Sequence, residues 1–187
     1  NYNIELIISI GFFICLVGFI DDRINLNPSI KTIFILAPSL YLILNDISIT
    51  NLGNYEYIGV IGLGKFQIPF LILAIGLLIN ATNYIDGIDG LLLTFFITCL
   101  GYYLFLIDDT KTENLIKLLL LPVFFNLILN MLPSKSKLKF FSGNVGSLFI
   151  GFFISFLTIE LYNSFGIHPV YLIWPLWYPV YDFLFVS

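Results

Sequence analysis

The sequence predicts an all-α polytopic membrane protein with about seven transmembrane helices. Its 187 residues are 59% hydrophobic and only 11% charged, whereas an ordinary soluble domain is about 25% charged. Seven apolar runs are separated by short polar segments, and a spanning helix needs about 20 mostly apolar residues. We therefore expect a single transmembrane domain over residues 1–187. Nothing in the composition indicates nucleic-acid binding.

The apolar runs define the predicted spans in chain order. The second run is short and is allowed to extend to Ile49, and the edges of all runs are set only within a few residues. The predicted spans are Ile4–Ile20, Ile30–Leu44, Ile68–Ile85, Leu91–Ile107, Leu115–Leu132, Val145–Tyr162 and Val170–Val186.

The longest predicted loop, residues 48–67, has the pattern of a small hairpin. The stretches Tyr55–Ile58 and Val60–Ile61 are rich in aromatic and β-branched residues, and three glycines lie between and after them. Such a pattern favours two short strands joined by a turn.

Alternation across the bilayer places the loops at 21–29, 86–90 and 133–144 on one side. Five of the eight basic residues lie in or beside these loops. Because cytoplasmic loops carry an excess of Lys and Arg, this side is predicted to be cytoplasmic. The five residues are Arg23, Lys31, Lys135, Lys137 and Lys139.

Three aspartates follow apolar runs on this side. Asp21 and Asp22 end the first run, and Asp86 ends the third. The C-terminus of a helix carries partial negative charge, so a carboxylate there is unfavourable unless a cation neutralises it. Oxygen ligands of this type suit Mg²⁺, with Mn²⁺ as a substitute. The alternative is that these are solvated charges at helix ends.

The segment from Asn80 to Leu91 concentrates polar groups between apolar runs. Asp86 and Asp89 are three residues apart, and Asn83 precedes Asp86 by three, so the three side chains would share one face of a helix. Gly87 permits a close approach of a ligand to the backbone. Polar groups at a membrane boundary are costly without partners, so the segment is predicted to form a functional site.

The third polar segment, Phe140–Ser147, opens the sixth span. A glycine-containing helix N-terminus presents free N–H groups and a positive dipole, which favours phosphate binding. Lysines before it would attract a polyanionic substrate, or would only set topology and contact lipid headgroups. Asn144 is either part of this site or a simple helix cap.

Three further residues carry no predicted chemistry. Cys15 and Cys99 lie within apolar runs, so no disulfide is expected. His168 is the only histidine. It lies in the loop on the opposite side and is expected to be an interfacial residue.

Three motifs in this order resemble one family. Gly18–Arg23, Asn80–Leu91 and Phe141–Ser147 together resemble the polyprenyl-phosphate N-acetylhexosamine-1-phosphate transferases, which include the MraY, WecA, TagO and WbpL-like enzymes of glycosyl transferase family 4. The resemblance covers nearly the whole chain. The tail at Tyr178–Asp182 is more similar to the WbpL and WecA members.

The resemblance implies a reaction and a location. Members transfer a sugar 1-phosphate from a UDP-sugar to undecaprenyl phosphate and release UMP, with a Mg²⁺ site on the cytoplasmic face of the bacterial inner membrane. Partners would then be a UDP-N-acetylhexosamine, polyprenyl phosphate and the bilayer. A homodimer stays open. The pathway would be the initiation of a cell-envelope polysaccharide or O-antigen.

The resemblance also assigns roles to residues. Asp21 and Asp22 match the aspartate pair proposed to engage the lipid phosphate and the metal. Asn130 matches a polar residue that precedes the third motif. The full set of candidates is Asp21, Asp22, Asp86 and Asp89 as catalytic residues, Asn80, Gly87, Asn130, Phe141, Gly143 and Lys31 as substrate-binding residues, and Asp22, Asn83 and Asn144 as metal ligands.

Two departures from the family pattern matter. Asn144 stands where the family usually has a metal-binding aspartate, which motivates the alternative of a non-catalytic relative that binds lipid or nucleotide. The family also has helices before, and a cytosolic loop after, the matched region, so the chain is expected to be an internal fragment of a longer transferase. A membrane transporter is a weaker alternative, because the carboxylates gather at one face rather than across the bilayer.

Overall fold

The computed structural model describes residues 4–186, so Asn1–Asn3 and Ser187 lie outside the described residues. Seven helices of nine or more residues and one helix of five residues are present in the described chain. They are α1 (Ile4–Ile24), α2 (Pro28–Leu44), α3 (Gln67–Ile85), α4 (Leu91–Leu106), α5 (Thr110–Asn130), α6 (Gly143–Phe165), α7 (Pro169–Ile173) and α8 (Trp177–Phe185).

The first six helices occupy the first six predicted runs. At the predicted site, the structure differs most from the prediction in α1, which continues past Ile20 to Ile24. Asp21 and Asp22 therefore lie in the last turns of this helix and not in a loop. The Asp21 carboxylate then accepts a hydrogen bond from the backbone N–H of Leu26 at 2.9 Å. The side chain thereby ties the end of α1 to the short connection before α2.

The prediction of one continuous seventh helix over Val170–Val186 is wrong. The chain instead forms α7, a 3-10 turn at Trp174–Leu176 and then α8. Pro175 lies in this turn. Proline lacks an N–H and its ring clashes with the preceding helical turn, so it interrupts a regular α-helix.

Three helical segments are long and apolar enough to cross a membrane, namely Gly64–Ile85, Thr110–Asn130 and Gly143–Phe165. Two shorter apolar helices, Ser29–Leu44 and Leu91–Leu106, add to them. A membrane protein is therefore supported, while seven complete crossings stay a prediction. Cys15 and Cys99 are both free, which agrees with the expectation of no disulfide.

Helix α6 is the central helix, because α1 and α3 both pack along it. Its middle part is buried from Ile150 to Leu157. Glycines allow the close approach: a Cβ on Gly18 would lie 2.6 Å from the Cα of Val145, and a Cβ on Gly151 would lie 2.7 Å from the Cα of Ile79. These contacts fix the ends of α1 and α3 beside the start of α6.

Replacing Gly151 with alanine is expected to lower the free energy of unfolding by about 1–3 kcal/mol, because the added methyl group overpacks the α3–α6 contact. Gly101→Ala is the matched control, since a Cβ there meets nothing within 4 Å. The free energy of unfolding of the control is expected to rise by about 0.5–1 kcal/mol, because alanine stabilises a helix interior relative to glycine. Thermal unfolding of both variants in detergent measures the difference, and equal Tm values would contradict this packing.

The predicted hairpin is present, with shifted strands. Strand β1 (Asn51–Tyr55) pairs antiparallel with β2 (Gly59–Gly62), and residues 56–58, which were expected in the first strand, form the turn. His168 is the N-cap residue of α7 and packs edge-on against Tyr55, with ring centroids 4.9 Å apart. The histidine therefore joins the hairpin to the helices.

Candidate functional site

The ends of α1 and α3 and the start of α6 meet around the ammonium group of Lys31. Its Nζ lies 2.7 Å from Oδ2 of Asp21 and donates to Oδ1 of Asn83 at 3.0 Å. It also donates to Oδ1 of Asn144 at 3.3 Å. The side chains of Lys31 and Asp21 are only 19% and 7% exposed. The cation of α2 thus joins all three motifs that sequence analysis identified.

The two asparagines of this cluster hold each other in one orientation. Asn83 Nδ2 donates to Oδ1 of Asn144 at 2.6 Å and to Oγ of Ser147 at 2.8 Å. The Ser147 hydroxyl in turn donates to the carbonyl of Gly143 at 3.0 Å. Because the amide nitrogen of Asn83 is bound on the α6 side, its carbonyl oxygen faces Lys31.

The side chain of Asp22, which belongs to α1, contacts the N-terminus of α6. Its Oδ1 accepts from the backbone N–H of Asn144 at 3.1 Å, an interaction that satisfies one free donor of the helix start. Gly143 has φ of +59°, and a Cβ on it would lie 2.9 Å from Oδ2 of Asp22. The left-handed backbone conformation therefore favours glycine at position 143, and a side chain there would displace the Asp22 carboxylate.

Asp86 caps the C-terminus of α3 on the same side. Burial, and to a lesser extent the nearby carboxylate of Asp22, raise the pKa of Asp86 to about 7. A buried carboxyl whose pKa is raised by desolvation and by a neighbouring carboxylate is a common arrangement for binding a cation or a proton. Among residues 4–186, no group of three or more His, Cys, Asp or Glu side chains is close enough to hold a metal ion, so a metal site would depend on these two carboxylates.

A second cluster lies beside the first and joins the segment after α3 to the segment before α6. The carboxamide of Asn130, which is 4% exposed, accepts from the N–H of Gly90 at 2.5 Å and donates to the carbonyl of Phe140 at 3.0 Å. Lys139 forms an ion pair with Asp89 at 2.5 Å. The side chain of Asn130 thus links the two segments through hydrogen bonds to the backbone of each.

Two predicted substrate-binding residues have other surroundings. Asn80 Nδ2 donates to the carbonyl of Gly76 within α3 at 2.8 Å. Gly87 is exposed, and a Cβ there would have ordinary contact, 3.6 Å, with the carbonyl of Tyr84. The substrate-binding roles of Asn80 and Gly87 stay predictions.

Two residues of the site were noted in the sequence but were given no individual role there. Ser147 lies three residues after Asn144, the spacing at which side chains share a helix face, and this signal could have identified it. Lys139 was grouped with the other loop lysines. Its pairing with Asp89 joins residues 50 positions apart, for which the sequence offers no local signal.

Comparison with known proteins assigns the chain to a class. Residues 4–162 match the sequence model of glycosyl transferase family 4, and the chain belongs to this family. The resemblance inferred from the three motifs is thereby confirmed.

Particular relatives are named as phospho-sugar transferases. The chain is 32% identical over 178 residues to the phospho-N-acetylmuramoyl-pentapeptide-transferase of Streptococcus gordonii, covering 87% of this chain and 52% of the relative. It is 26% identical over 174 residues to the undecaprenyl-phosphate alpha-N-acetylglucosaminyl 1-phosphate transferase of Escherichia coli K12, covering 89% and 47%. A probable undecaprenyl-phosphate N-acetylglucosaminyl 1-phosphate transferase of Bacillus subtilis is 28% identical over 162 residues, covering 84% and 44%. The chain spans about half the length of the curated relatives it matches.

Proposed function

We propose that this chain carries the catalytic face of a transferase that moves an N-acetylhexosamine 1-phosphate from a UDP-sugar to polyprenyl phosphate. UMP is released, and the product initiates a cell-envelope polysaccharide or an O-antigen. The observation that carries the proposal is the convergence of the three motifs around Lys31, with Asp21 at 2.7 Å and Asn83 at 3.0 Å from its ammonium. The names of the relatives support the same reaction class.

The residues at this face fit a divalent cation. Asp22 and Asp86 offer carboxylate oxygens close enough for Asp22 to raise the pKa of Asp86, and Mg²⁺ is commonly held by one or two carboxylates together with substrate phosphates. When bound, Mg²⁺, or Mn²⁺ in its place, would supply charge neutralisation at the diphosphate. The carbonyl oxygens of Asn83 and Asn144 face Lys31 instead, so their role as ligands requires that Lys31 move.

The protein's own residues position the reactants. An oxygen of polyprenyl phosphate attacks the sugar-linked phosphorus in line, a new P–O bond forms, and the bond to the bridging oxygen breaks with its electron pair leaving on UMP. Asp21 or Asp22 accepts a proton from the lipid phosphate. The free N–H groups at the start of α6 favour a phosphate there.

The proposed location is the bacterial inner membrane. Seven crossings place the loops at 21–29, 86–90 and 133–144 on the cytoplasmic side, where UDP-sugars are found, and the excess of basic residues supports this orientation. The partners are then the UDP-N-acetylhexosamine, the polyprenyl phosphate and the surrounding bilayer, while assembly as a homodimer stays open.

The deciding assay uses the full-length protein with undecaprenyl phosphate and a panel of UDP-N-acetylhexosamines. Release of UMP is measured with Mg²⁺ and with a chelator. Release that needs both substrates and the metal supports the proposal. If the parent is inactive with every UDP-sugar and Asn144→Asp restores turnover, the protein is a binding-only relative instead.

Magnesium is expected to raise the Tm of the protein more at about pH 8 than at about pH 6, because a cation binds only the deprotonated carboxylate. The pKa of Asp86 is raised from 3.8 to about 7. The proton on Asp86 therefore stabilises the fold at low pH, and this contribution is lost as the pH rises through about 7. Mg²⁺ can take the place of this proton only at a pH at which Asp86 is deprotonated.

Thermal unfolding in detergent at the two pH values measures this effect without any substrate. Asp86→Asn should abolish the pH dependence of the Mg²⁺ shift. An equal Tm shift at both pH values in the parent would mean that Asp86 does not contact the cation.

A further inference from the structure

Lys139 is a basic residue at the proposed catalytic face to which the reaction above gives no role. Its side chain is only 7% exposed, whereas the paired Asp89 is 50% exposed. The same ammonium lies 5.0 Å from the centroid of the Phe141 ring. One buried cation therefore contacts both a carboxylate of the second motif and an aromatic ring of the third.

Hydrogen bonds hold the backbone on both sides of this contact. Asn130 hydrogen-bonds to the N–H of Gly90 and to the carbonyl of Phe140, the residues that follow Asp89 and Lys139. The N–H of Phe140 also donates to the carbonyl of Leu129 at 3.4 Å. With both backbone segments fixed, the ammonium of Lys139 sets where the Asp89 carboxylate points.

The ring of Phe141 is 61% exposed, so it presents an open apolar surface next to the half-exposed carboxylate of Asp89. A flat aromatic ring suits stacking against a nucleobase, and a carboxylate accepts N–H donors from the base or O–H donors from the ribose. Lys139 lowers the local negative charge, which otherwise repels an anionic nucleotide.

We propose that Lys139 is a positioning residue for the nucleotide half of the sugar donor, acting through Asp89 and Phe141. This inference rests on the proposed function, because it takes the donor to be a nucleoside diphosphate sugar. Direct contact of Lys139 with the substrate is disfavoured, since its side chain is buried against the two groups that it orients.

The test compares Lys139→Met, Lys139→Arg and Lys137→Met in the full-length protein. Lys137 is an exposed lysine on the same loop, so its replacement measures the effect of loop charge alone. For Lys139→Met we expect KM for the UDP-sugar and the inhibition constant of UMP to rise about tenfold, as for loss of one charge-assisted hydrogen bond. In this proposal Asp89 contacts the nucleotide and not the reacting phosphorus, in place of the catalytic role predicted from the sequence. The kcat and the KM for polyprenyl phosphate should therefore stay within about twofold of the parent values.

A positioning role has two further signatures. Lys139→Arg should recover most of the affinity, because arginine keeps the charge and the contact with the ring. In a double-mutant cycle, Asp89→Asn should cost much less in the Lys139→Met background than in the parent, because the two residues act as one unit. A purely structural role would instead lower kcat and Tm together with no selective change in KM.

The outcomes separate this inference from the proposed function. If the parent turns over UDP-sugar and Lys139→Met changes KM no more than Lys137→Met does, the inference fails and the proposed function stands. If the parent neither releases UMP nor binds it, both fail. A selective rise in KM that Lys139→Arg reverses supports both.

Discussion

Replacing Asp22 with asparagine is expected to lower the turnover of the full-length protein about 100-fold or more, as for other positioned catalytic groups. The substitution keeps an oxygen that accepts the hydrogen bond from the backbone N–H of Asn144 at 3.1 Å, so the cap of α6 is retained. It removes the negative charge that faces Asp86. The loss of activity should therefore occur with little loss of stability.

The measurement is UMP release at saturating substrates, together with the Tm of each variant in detergent. Asp46→Asn is the matched control: it removes the same charge at an exposed position with φ of +60°, which asparagine also tolerates. The control should keep the parent rate within about twofold, as surface substitutions usually do. A near-normal rate for Asp22→Asn would reduce Asp22 to a helix cap and remove the proposed metal site.

The sequence predicted the helices well because hydrophobic length is a local property. Each of the first six apolar runs became one helix, with ends that moved by a few residues where polar side chains continued the helical hydrogen bonds, as at the end of α1. The prediction of one continuous seventh helix was wrong because it was based on apolar composition alone. Pro175 lies in the 3-10 turn at Trp174–Leu176 that divides this run, and proline lacks the N–H that a regular α-helix uses.

The candidate site was predicted only as a set of residues on one side. Alternation of the apolar runs predicted that Asp21, Asp22, Asp86 and Asp89 share one side of the membrane. The contacts made by Lys31, however, join residues 52 and 113 positions apart. They depend on how closely α1, α3 and α6 pack, and that distance is set by glycines such as Gly18 and Gly151. No local pattern encodes such a contact.

The surroundings of Asn144 suit a neutral side chain at this position, where the sequence departs from the family pattern. Lys31 already has the carboxylate of Asp21 as its ion pair, and Asn144 Oδ1 accepts from both Lys31 and Asn83. An aspartate at position 144 would add a negative charge beside Asp22 and Asp21, which a cation such as Mg²⁺ would have to neutralise. The neutral carboxamide suits a cluster in which one ammonium balances one carboxylate.

Replacing Lys31 with methionine is expected to abolish turnover and also to lower the free energy of unfolding by about 3–5 kcal/mol, because it leaves the buried carboxylate of Asp21 without its partner. The side chain of Asp21 is only 7% exposed, so water cannot fully replace the ammonium. Asn83 and Asn144 lose a donor at the same time. Thermal unfolding and UMP release together measure the two effects.

The double variant Lys31→Met, Asp21→Asn separates the structural role of Lys31 from its role in the reaction. Without the unpaired charge, most of the lost stability should return, since replacing both partners of a buried ion pair is often nearly neutral. Activity should stay absent, because the cation that joins the three motifs is still missing. If the double variant regains turnover along with stability, Lys31 serves only to hold the helices together, and the reaction is carried by the carboxylates of Asp22 and Asp86.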